Sequence, residues 1–207
     1  MPFITFEGLD GSGKSTQLNL LHQKLSLAGH EVLCTKEAGG TPLGAAVRNL
    51  VQMRQDITIH PLTEALLYAA DRAQHVSELV RPALASGVYV LCDRYIDSSL
   101  AFQGAVLPVE LVRDINRLAT AGLQPELTIL LDVDVTTSRQ RLIARNVPLD
   151  RIETRDEPYH DTVRSIYLSL AREEPQRFLV LPAAQSISYL ADTIWNQVVK
   201  RFFQERR

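Results

Sequence analysis

A glycine-rich run that ends in a lysine and a serine carries the clearest chemical signature in this chain. Its members occupy consecutive positions: Gly8, Leu9, Asp10, Gly11, Ser12, Gly13, Lys14 and Ser15. The run matches the phosphate-binding pattern G-x-x-x-x-G-K-[ST], whose backbone N–H groups surround phosphate oxygens. The Lys14 ammonium can reach β- and γ-phosphates, and the Ser15 hydroxyl is suited to hold Mg²⁺. We therefore predict that this loop binds a nucleoside triphosphate.

The elements around the loop predict the fold that positions it. Apolar, strand-like runs occur at 3–7, 31–36, 88–93, 127–132 and 178–181. Helical spacing of apolar residues occurs at 14–28, 43–53, 61–86, 108–121, 135–145, 159–173 and 187–203. Strands that alternate with helices in this way predict an α/β fold, with a five-stranded parallel sheet and helices on both faces. The chain shows no internal repeat or Pro/Gly-rich linker, so we predict one domain over 1–207.

Composition excludes several classes of protein. The 207 residues carry a net charge of −2, which gives no reason to expect nucleic acid as a partner. The longest apolar runs are too short to cross a membrane, and no signal-like segment is evident, so we expect a cytoplasmic protein. Cys34 and Cys92 both fall in strand-like runs without C-x-x-C spacing, and we predict that both are buried apolar residues.

Polar residues at the ends of the predicted strands are candidates for the site. In open parallel sheets, ligands bind at the carboxyl ends of the strands. Asp93 and Arg94 end one such strand, where an aspartate commonly helps to hold a metal and a guanidinium fits a phosphate. We predict a metal site made of Ser15 and Asp93, although Asp132, at the end of another strand, is a competing carboxylate.

Five further segments, taken in order with the loop, resemble the thymidylate kinase family, whose members transfer a phosphoryl group from ATP to dTMP. These segments lie at 37–41, 68–72, 93–95, 97–104 and 149–153. None is specific alone, but together they cover nearly the whole chain. The resemblance implies a P-loop nucleoside monophosphate kinase-like fold with a short mobile lid at about 145–157, ATP and Mg²⁺ as nucleotide and cofactor, and a homodimer.

The resemblance also implies roles for residues that line the acceptor side. The residues that would bind dTMP are Glu37, Arg48, Tyr68, Arg72, Arg94, Ser99, Phe102 and Gln103. Tyr68 would stack on thymine, Arg72 would hydrogen-bond the base, and Arg48 and Arg94 would hold the acceptor phosphate. Phe102 stands where the family usually has a tyrosine that disfavours ribose.

A second departure from the family lies in the turn after residue 36. Lys36 and Ala38 replace an arginine and a proline, and the family's proline often follows a cis bond. Cis peptide bonds are disfavoured before residues other than proline. We therefore expect this turn to differ locally and to hold Glu37 less firmly.

The residues expected to act in phosphoryl transfer are mostly arginines. The resemblance implies catalytic roles for Lys14, Asp10, Arg94, Arg145 and Arg151. Some members of the family carry a charge-neutralising arginine inside the P-loop, but here that position is Gly11. The lid should therefore supply it, from Arg145, Arg151 or Arg155. No general base is needed, because a phosphate monoester is already largely dianionic at pH 7.

Other functions remain open at this point. A deoxynucleoside kinase of the same fold would need a carboxylate base, for which Glu37 is a candidate. A non-catalytic nucleotide-binding relative would explain Lys36, Ala38 and Phe102, although Lys14, Ser15, Asp93 and Arg94 are intact. A guanine-reading switch is disfavoured, because the tetrapeptide Asn-Lys-x-Asp does not occur.

Overall fold

The computed structural model describes residues 2–204, which build one parallel β-sheet flanked by helices. In chain order the strands are β1 (Phe3–Glu7), β2 (Val32–Lys36), β3 (Tyr89–Asp93), β4 (Leu127–Asp132) and β5 (Phe178–Pro182). They lie in the order β2-β3-β1-β4-β5, and all neighbours pair in parallel. The predicted five-stranded parallel sheet is confirmed. Because β1 is central, the P-loop that follows it lies between the ends of β3 and β4.

The α-helices of the described chain alternate with these strands. They are α1 (Lys14–Leu27), α2 (Pro42–Arg48), α3 (Pro61–His75), α4 (Arg81–Ala85), α5 (Ile96–Phe102), α6 (Val109–Thr120), α7 (Val135–Ala144), α8 (Glu157–Glu173) and α9 (Ile187–Val199). Short π-helical segments occupy Asn49–Met53, Val76–Val80 and Lys200–Gln204. The helix predicted at 61–86 is thus α3, a π-helical segment and α4 in succession.

Helix α5 was not predicted, and its burial explains why. All of its residues, Ile96–Phe102, are buried. A helix buried on every side has no polar stripe, so its sequence lacks the amphipathic period by which helices are recognised. This helix matters for the site, because it carries Ser99 and Phe102.

The core covers both faces of the sheet. Successive side chains of a strand point to opposite faces, and Phe3 and Ile4 accordingly belong to two different clusters of buried apolar residues. Cys92 is buried as predicted, but Cys34 is exposed, so that prediction is wrong. Cys34 lies on β2, which is an edge strand whose residues are only partly covered.

Helix α9 packs against α1, the helix that begins within the P-loop. The Gln17 Nε2 atom donates to the carbonyl of Ile187 at 3.1 Å, and Lys24 forms an ion pair with Asp192 at 2.7 Å. Leu21 of α1 shares the larger core cluster with buried residues of α9. Within residues 2–204, none of the helices is both long and apolar enough to span a membrane.

Candidate active site

The P-loop wraps closely around its own lysine. Lys14 is buried, and its Nζ atom donates to the carbonyls of Gly8 at 3.2 Å and Leu9 at 2.9 Å. Gly8 has φ = +132°, and a Cβ atom at this position would overlap the carbonyl oxygen of Leu131 on the neighbouring strand. Only glycine fits both constraints, so the loop can begin immediately at the end of β1. The backbone of 8–15 thereby lies at the carboxyl end of the central strand β1, between β3 and β4.

Helix α7 supports the loop from the side. Ser138 donates from its Oγ to the Asp10 carbonyl at 2.7 Å, and the Arg141 guanidinium donates to the Gly11 carbonyl at 3.1 Å. Arg141 also donates to the Ala183 carbonyl at 3.0 Å and lines the main cleft. Sequence analysis missed Arg141, because an arginine on a partly exposed helix carries no distinguishing pattern.

The two candidate metal carboxylates differ in their partners. The exposed Ser15 hydroxyl donates to Asp93 Oδ2 at 2.7 Å. Asp132 instead accepts two hydrogen bonds from the Arg164 guanidinium, at 2.6 and 2.9 Å. Among residues 2–204, no three His, Cys, Asp or Glu side chains cluster in a way that could hold a metal. A hydroxyl beside one carboxylate fits Mg²⁺, which takes oxygen ligands and usually keeps several waters and substrate phosphates.

Arg94 is the most constrained cation near the loop. Its backbone has φ = 72°, which is uncommon for a residue other than glycine. Its guanidinium donates to the Gly8 carbonyl at 3.1 Å, to Ser98 Oγ at 3.0 Å and to Asp10 Oδ1 at 2.7 Å. Burial opposes ionisation of Asp10, but Arg94 and then Lys14 hold the pKa of this carboxyl well below its usual range. The carboxylate therefore stays ionised and fixes Arg94 beside the P-loop.

A buried glutamate beneath Arg94 fixes the start of α5. Glu7 accepts hydrogen bonds from the Tyr95 backbone N–H at 2.7 Å, Ser98 Oγ at 2.6 Å and the Tyr167 hydroxyl at 2.9 Å. Burial, followed by the charge of Asp97, raises the pKa of Glu7 to about 7. Glu7 was not predicted as part of the site, because it reads as the last residue of a buried strand.

On the acceptor side, Arg72 joins four parts of the chain. Its Nε donates to Glu37 Oε2 at 2.6 Å, and its other nitrogens donate to Ser99 Oγ at 2.8 Å and to the Tyr95 carbonyl at 3.0 Å. It also donates to the Oδ1 of Asn116 on α6. Arg72 and Glu37 are both buried. These hydrogen bonds orient the Arg72 guanidinium, for which the family resemblance implies a hydrogen bond to the thymine base.

Glu37 has a second partner that sequence analysis did not place in the site. His75 Nδ1 lies 2.6 Å from Glu37 Oε1, and His75 Nε2 lies 2.7 Å from Thr35 Oγ1. A carboxylate paired with Arg72 only accepts hydrogen bonds, so His75 Nδ1 is the donor. The Glu37–Ala38 bond is cis, as the family's bond before proline often is, so the expectation that the turn would differ locally is wrong at this bond. Glu37 is firmly held by two side chains of α3.

Asp71 supports the glycine-containing turn at 37–41, which carries Glu37. It is buried, and a Cβ atom on Gly44 would overlap its Oδ1, so only glycine allows this approach. Burial, and then the charge of Glu37, raises the pKa of Asp71 to about 6. The turn that carries Glu37 is therefore packed against a carboxyl group with an unusually high pKa.

The remaining predicted acceptor residues form the walls of the same space. Gln52 Nε2 donates to the Tyr68 hydroxyl at 3.1 Å, and burial raises the pKa of Tyr68 to about 12. Arg48 donates to the Ala38 carbonyl at 3.3 Å. The Arg94 guanidinium lies 4.9 Å from the centre of the Phe102 ring, which is compatible with a cation–π contact.

One cleft unites the two sets of residues. A cavity of about 530 Å³ is lined from the P-loop side by Asp10, Gly11, Gly13, Lys14, Ser15, Asp93, Arg94 and Arg145, and from the acceptor side by Glu37, Arg48, Tyr68, Arg72, Ser99, Phe102 and Gln103. The volume suits nucleotide-sized ligands. The structure thus brings together nearly all of the predicted site residues.

The lid arginines do not share one environment. Arg145 lines the cleft and donates to Glu153 Oε1 at 2.8 Å. Arg151 does not line it: its Nε donates to the Val51 carbonyl at 2.7 Å, and one NH₂ donates to Glu64 Oε2 at 2.6 Å. Of the two lid arginines predicted as catalytic, Arg145 therefore lies nearer the P-loop nucleotide site.

Comparisons with known proteins agree with this geometry. The family model for thymidylate kinase matches residues 6–194. This chain belongs to the thymidylate kinase family. A thymidylate kinase of Deinococcus radiodurans is 51% identical over 201 residues, covering 96% of this chain and 97% of that relative. One from Leifsonia xyli subsp. xyli is 52% identical over 194 residues, covering 93% and 91%.

A solved structure supports the same assignment. The crystal structure of thymidylate kinase from Ehrlichia chaffeensis has a TM-score of 0.77 at 30% identity, and the match covers 95% of this chain and 98% of that one. The family membership inferred from the motifs is confirmed, and so is the nucleoside monophosphate kinase-like fold of the family.

A pattern on α3 could have revealed the acceptor-side residues that were missed. Polar residues stand at positions 64, 68, 71, 72 and 75. These spacings of three and four place them on one face of a helix. Four of these five, all except Tyr68, are fully buried. A helix that turns a polar face inward must satisfy it there, which points to a site rather than to plain core.

Proposed function

We propose that this member of the thymidylate kinase family transfers the γ-phosphoryl group of ATP to the phosphate of dTMP, giving dTDP and ADP. The observation that carries the proposal is the shared cleft, in which a P-loop and an arginine-rich acceptor side face each other. Binding two phosphorylated nucleotides head to head is what this reaction requires.

At the phosphate end, the P-loop residues Gly8, Leu9, Asp10, Gly11, Ser12, Gly13, Lys14 and Ser15 would bind ATP. Ser15 and Asp93 would hold Mg²⁺, which their oxygen atoms fit; Asp132 is already neutralised by Arg164. When bound, Mg²⁺ would supply positive charge that neutralises part of the negative charge on the phosphates. Lys14 would leave the carbonyls of the loop for the β- and γ-phosphates.

At the acceptor end, Arg94 and Arg48 would hold the phosphate of dTMP. Arg94 is suited to this role because Asp10 fixes its guanidinium at 2.7 Å from one side. Arg72, Ser99 and Gln103 would contact the base, Tyr68 would stack on it, and Phe102 would lie near the sugar. Glu37 would act mainly by orienting Arg72.

The chemistry is displacement without proton abstraction. The acceptor phosphate is largely dianionic at pH 7, because its second pKa lies near 6. The chain therefore has to align two anions and stabilise the charge on the transferred group. Lys14, Arg94 and Arg145 supply cations around that group, and Arg145 is the lid arginine best located for it.

The competing nucleoside kinase function would need a free carboxylate base. Glu37 is the candidate, but both of its oxygens are engaged at 2.6 Å, one by Arg72 and one by His75. A base that is held by two donors is poorly placed to accept a further proton. This occupancy supports a monophosphate acceptor over a nucleoside.

A homodimer is also part of the proposal. Leu62 and Leu66 of α3 and Leu118 of α6 are exposed, and α3 packs against α6. Exposed apolar side chains on neighbouring helices are the kind of surface that oligomers bury. Light scattering of the purified chain checks this part independently of activity.

The test is a coupled assay of ADP release with ATP and Mg²⁺, comparing dTMP, dUMP, UMP and thymidine. Turnover with dTMP well above thymidine is the expected result. Turnover with thymidine alone would make the chain a nucleoside kinase, and no turnover with any acceptor would indicate a non-catalytic relative. Lys14→Met serves as the background control, because it removes the P-loop cation.

A further inference from the structure

A buried glutamate on α3 connects the lid to the acceptor side of the cleft. Glu64 is 1% exposed. Its Oε2 accepts from Arg151 at 2.6 Å and from Arg155 at 2.9 Å, both in the lid. Its Oε1 accepts from Gln103 Nε2 at 3.1 Å. One carboxylate therefore holds two lid cations and one of the predicted base contacts.

A second connection runs through the π-helical segment after α2. The Arg151 backbone N–H donates to the Gln52 carbonyl at 3.0 Å, and Arg151 Nε donates to the Val51 carbonyl at 2.7 Å. The side chain of Gln52 in turn donates to the Tyr68 hydroxyl. The lid turn at 151–155 thus rests on the partners of Gln103 and Tyr68, the two side chains expected beside the base.

Burial makes the Glu64 contacts stronger than a surface ion pair. The side chains of Arg151 and Arg155 are 19% and 23% exposed, whereas Arg145 in the same lid is 45% exposed. Breaking a buried ion pair leaves an uncompensated charge, whereas exposed pairs contribute little. Glu64 is therefore the principal anchor of the lid among these contacts, whereas Arg145 pairs with Glu153 inside the lid and lines the cleft.

We propose that Glu64 is a positioning residue that ties the lid to the base-binding wall, so that binding of the pyrimidine nucleotide favours the lid position in which Arg145 serves the P-loop nucleotide. The inference rests on the proposed function, since it takes Gln103 and Tyr68 as base contacts. It assigns Arg151 and Arg155 to anchoring rather than to the reaction itself.

Thermodynamic linkage makes the proposal measurable. If dTMP and the ATP-site ligand both favour the anchored lid, each must raise the affinity of the other by the same factor. Typical coupling of this kind is about 5–150-fold. Glu64→Gln keeps an oxygen that can accept from Gln103, but it removes the negative charge from between Arg151 and Arg155.

The experiment measures binding and lid exposure separately. Affinity for a non-hydrolysable ATP analogue is determined with and without dTMP, by calorimetry, in the wild type and in Glu64→Gln. Trypsin cleavage after Arg151 and Arg155 is followed without nucleotide. We expect the coupling factor to fall toward one in Glu64→Gln and cleavage to become at least about fivefold faster, because local opening governs proteolysis.

The matched control is Glu157→Gln, which breaks the exposed pair with Arg139 at the base of the lid. It should retain wild-type coupling and cleavage. Equal coupling and equal cleavage in the wild type and Glu64→Gln would overturn the proposal, as would a wild-type coupling factor of one. If Glu64→Gln does not fold, Arg151→Gln decides through the coupling factor and cleavage after Arg155, because it removes one lid partner, and with it the trypsin site at 151, but leaves Arg155 on the carboxylate. Failure of the proposed function would instead show as no turnover of dTMP by the wild type.

Discussion

The two ends of the cleft hold their cations in different ways. At the phosphate end, Lys14 donates to two backbone carbonyls of its own loop, those of Gly8 and Leu9, and Arg94 also donates to the Gly8 carbonyl. At the base end, Arg72 is held chiefly by side chains, including Glu37 on the turn after β2 and Asn116 on α6. The Lys14 contacts are local in sequence, whereas the Arg72 contacts join segments that are distant in sequence.

This difference separates two kinds of residue. A cation that rests on loop carbonyls can be removed without leaving a buried charge behind, so its loss should affect catalysis more than folding. A cation inside a buried network leaves unpaired partners when it is removed, so its loss should affect both. Five substitutions, ordered by expected effect, test this contrast.

Arg72→Met should give the largest effect. It leaves Glu37 with only His75 as a side-chain partner, and breaking a buried ion pair costs about 3–5 kcal/mol. Urea unfolding measures the stability, and the KM for dTMP should also rise. Arg113→Met is the control, because its pairs are exposed and should contribute at most about 1 kcal/mol. A fully stable Arg72→Met would mean that the base-end network is not structural.

Lys14→Met should show the opposite pattern at the phosphate end. We expect kcat/KM to fall by at least about 100-fold, as when one preorganised electrostatic donor is lost. The melting temperature should shift by only about 2–4 °C, because Asp10, the nearest carboxylate, keeps its direct ion pair with Arg94. Steady-state kinetics and thermal melting are compared with Lys24→Met, which makes the same change at a half-buried lysine of α1 that pairs with Asp192. A large loss of stability with activity intact would contradict the contrast.

Asp71→Asn tests the base end through pH. The pKa of Asp71 is raised to about 6 in the folded chain, above its ordinary value of 3.8. Folding therefore favours the protonated form, whose stabilisation is present below about pH 4 and is lost as pH rises through 6. Asparagine resembles the protonated form, so the stability of the variant relative to wild type should increase by up to about 3 kcal/mol over this window.

Thermal melting between pH 4 and 7 measures this difference in stability between Asp71→Asn and the wild type. Groups that titrate in the same way in both proteins cancel in the difference. Asp114→Asn, at an exposed position on α6, should show no such pH-dependent gain. A flat difference for Asp71→Asn would show that its carboxyl group titrates normally.

Arg145→Ala probes a cation that belongs to neither arrangement. Among residues 2–204, Arg145 forms its ion pair only within the lid, with Glu153, and it lines the cleft. We expect kcat to fall by at least about tenfold with little change in the KM for dTMP, since stabilisation of transferred charge is lost. Arg151→Ala should change the affinity for ATP more than it changes kcat. If rapid-quench kinetics instead show that kcat falls in Arg151→Ala and not in Arg145→Ala, Arg151 would be the arginine that contacts the reacting groups.

Tyr68→Phe should give the smallest effect. It removes the hydroxyl that accepts from Gln52 but keeps the ring that is expected to stack on the base. Loss of one neutral hydrogen bond amounts to about 0.5–1.5 kcal/mol. The KM for dTMP, measured beside the exposed control Tyr189→Phe, should rise at most about tenfold. A loss of kcat without a change in KM would place Tyr68 in the chemical step.

Sequence predicted the phosphate end well because its residues are neighbours. The pattern at 8–15 fixes both the loop and the helix after it, and β1 was found at Phe3–Glu7 as predicted. Asp93, the hydrogen-bond partner of Ser15, was singled out because the end of a buried strand can be recognised in the sequence. The competition with Asp132 could not be resolved that way, since only the structure shows Arg164 beside it.

The base end was found only in part, and through resemblance. Arg72 meets Glu37 across 35 positions and Asn116 across 44. Spacing along the chain carries no information about such contacts, so Asn116 reads as an ordinary helical residue. The polar face that Glu64 and His75 share on α3 points to a site but does not say which segments it meets. Helix α5 was missed for a related reason, because full burial removed the polar stripe that marks a helix.

The packing of α9 on α1 has a consequence for how the protein is made. The bond from Gln17 to Ile187 spans 170 positions. At about 5–20 residues per second, synthesis of the intervening chain takes on the order of 10–30 s. During that time the P-loop helix has already emerged, but the apolar face that α9 later covers stays open. The residues of the nucleotide-binding end are therefore synthesised early in translation, whereas their packing is completed only when α9 has been made. Nascent chains that stop before α9 should depend on chaperones.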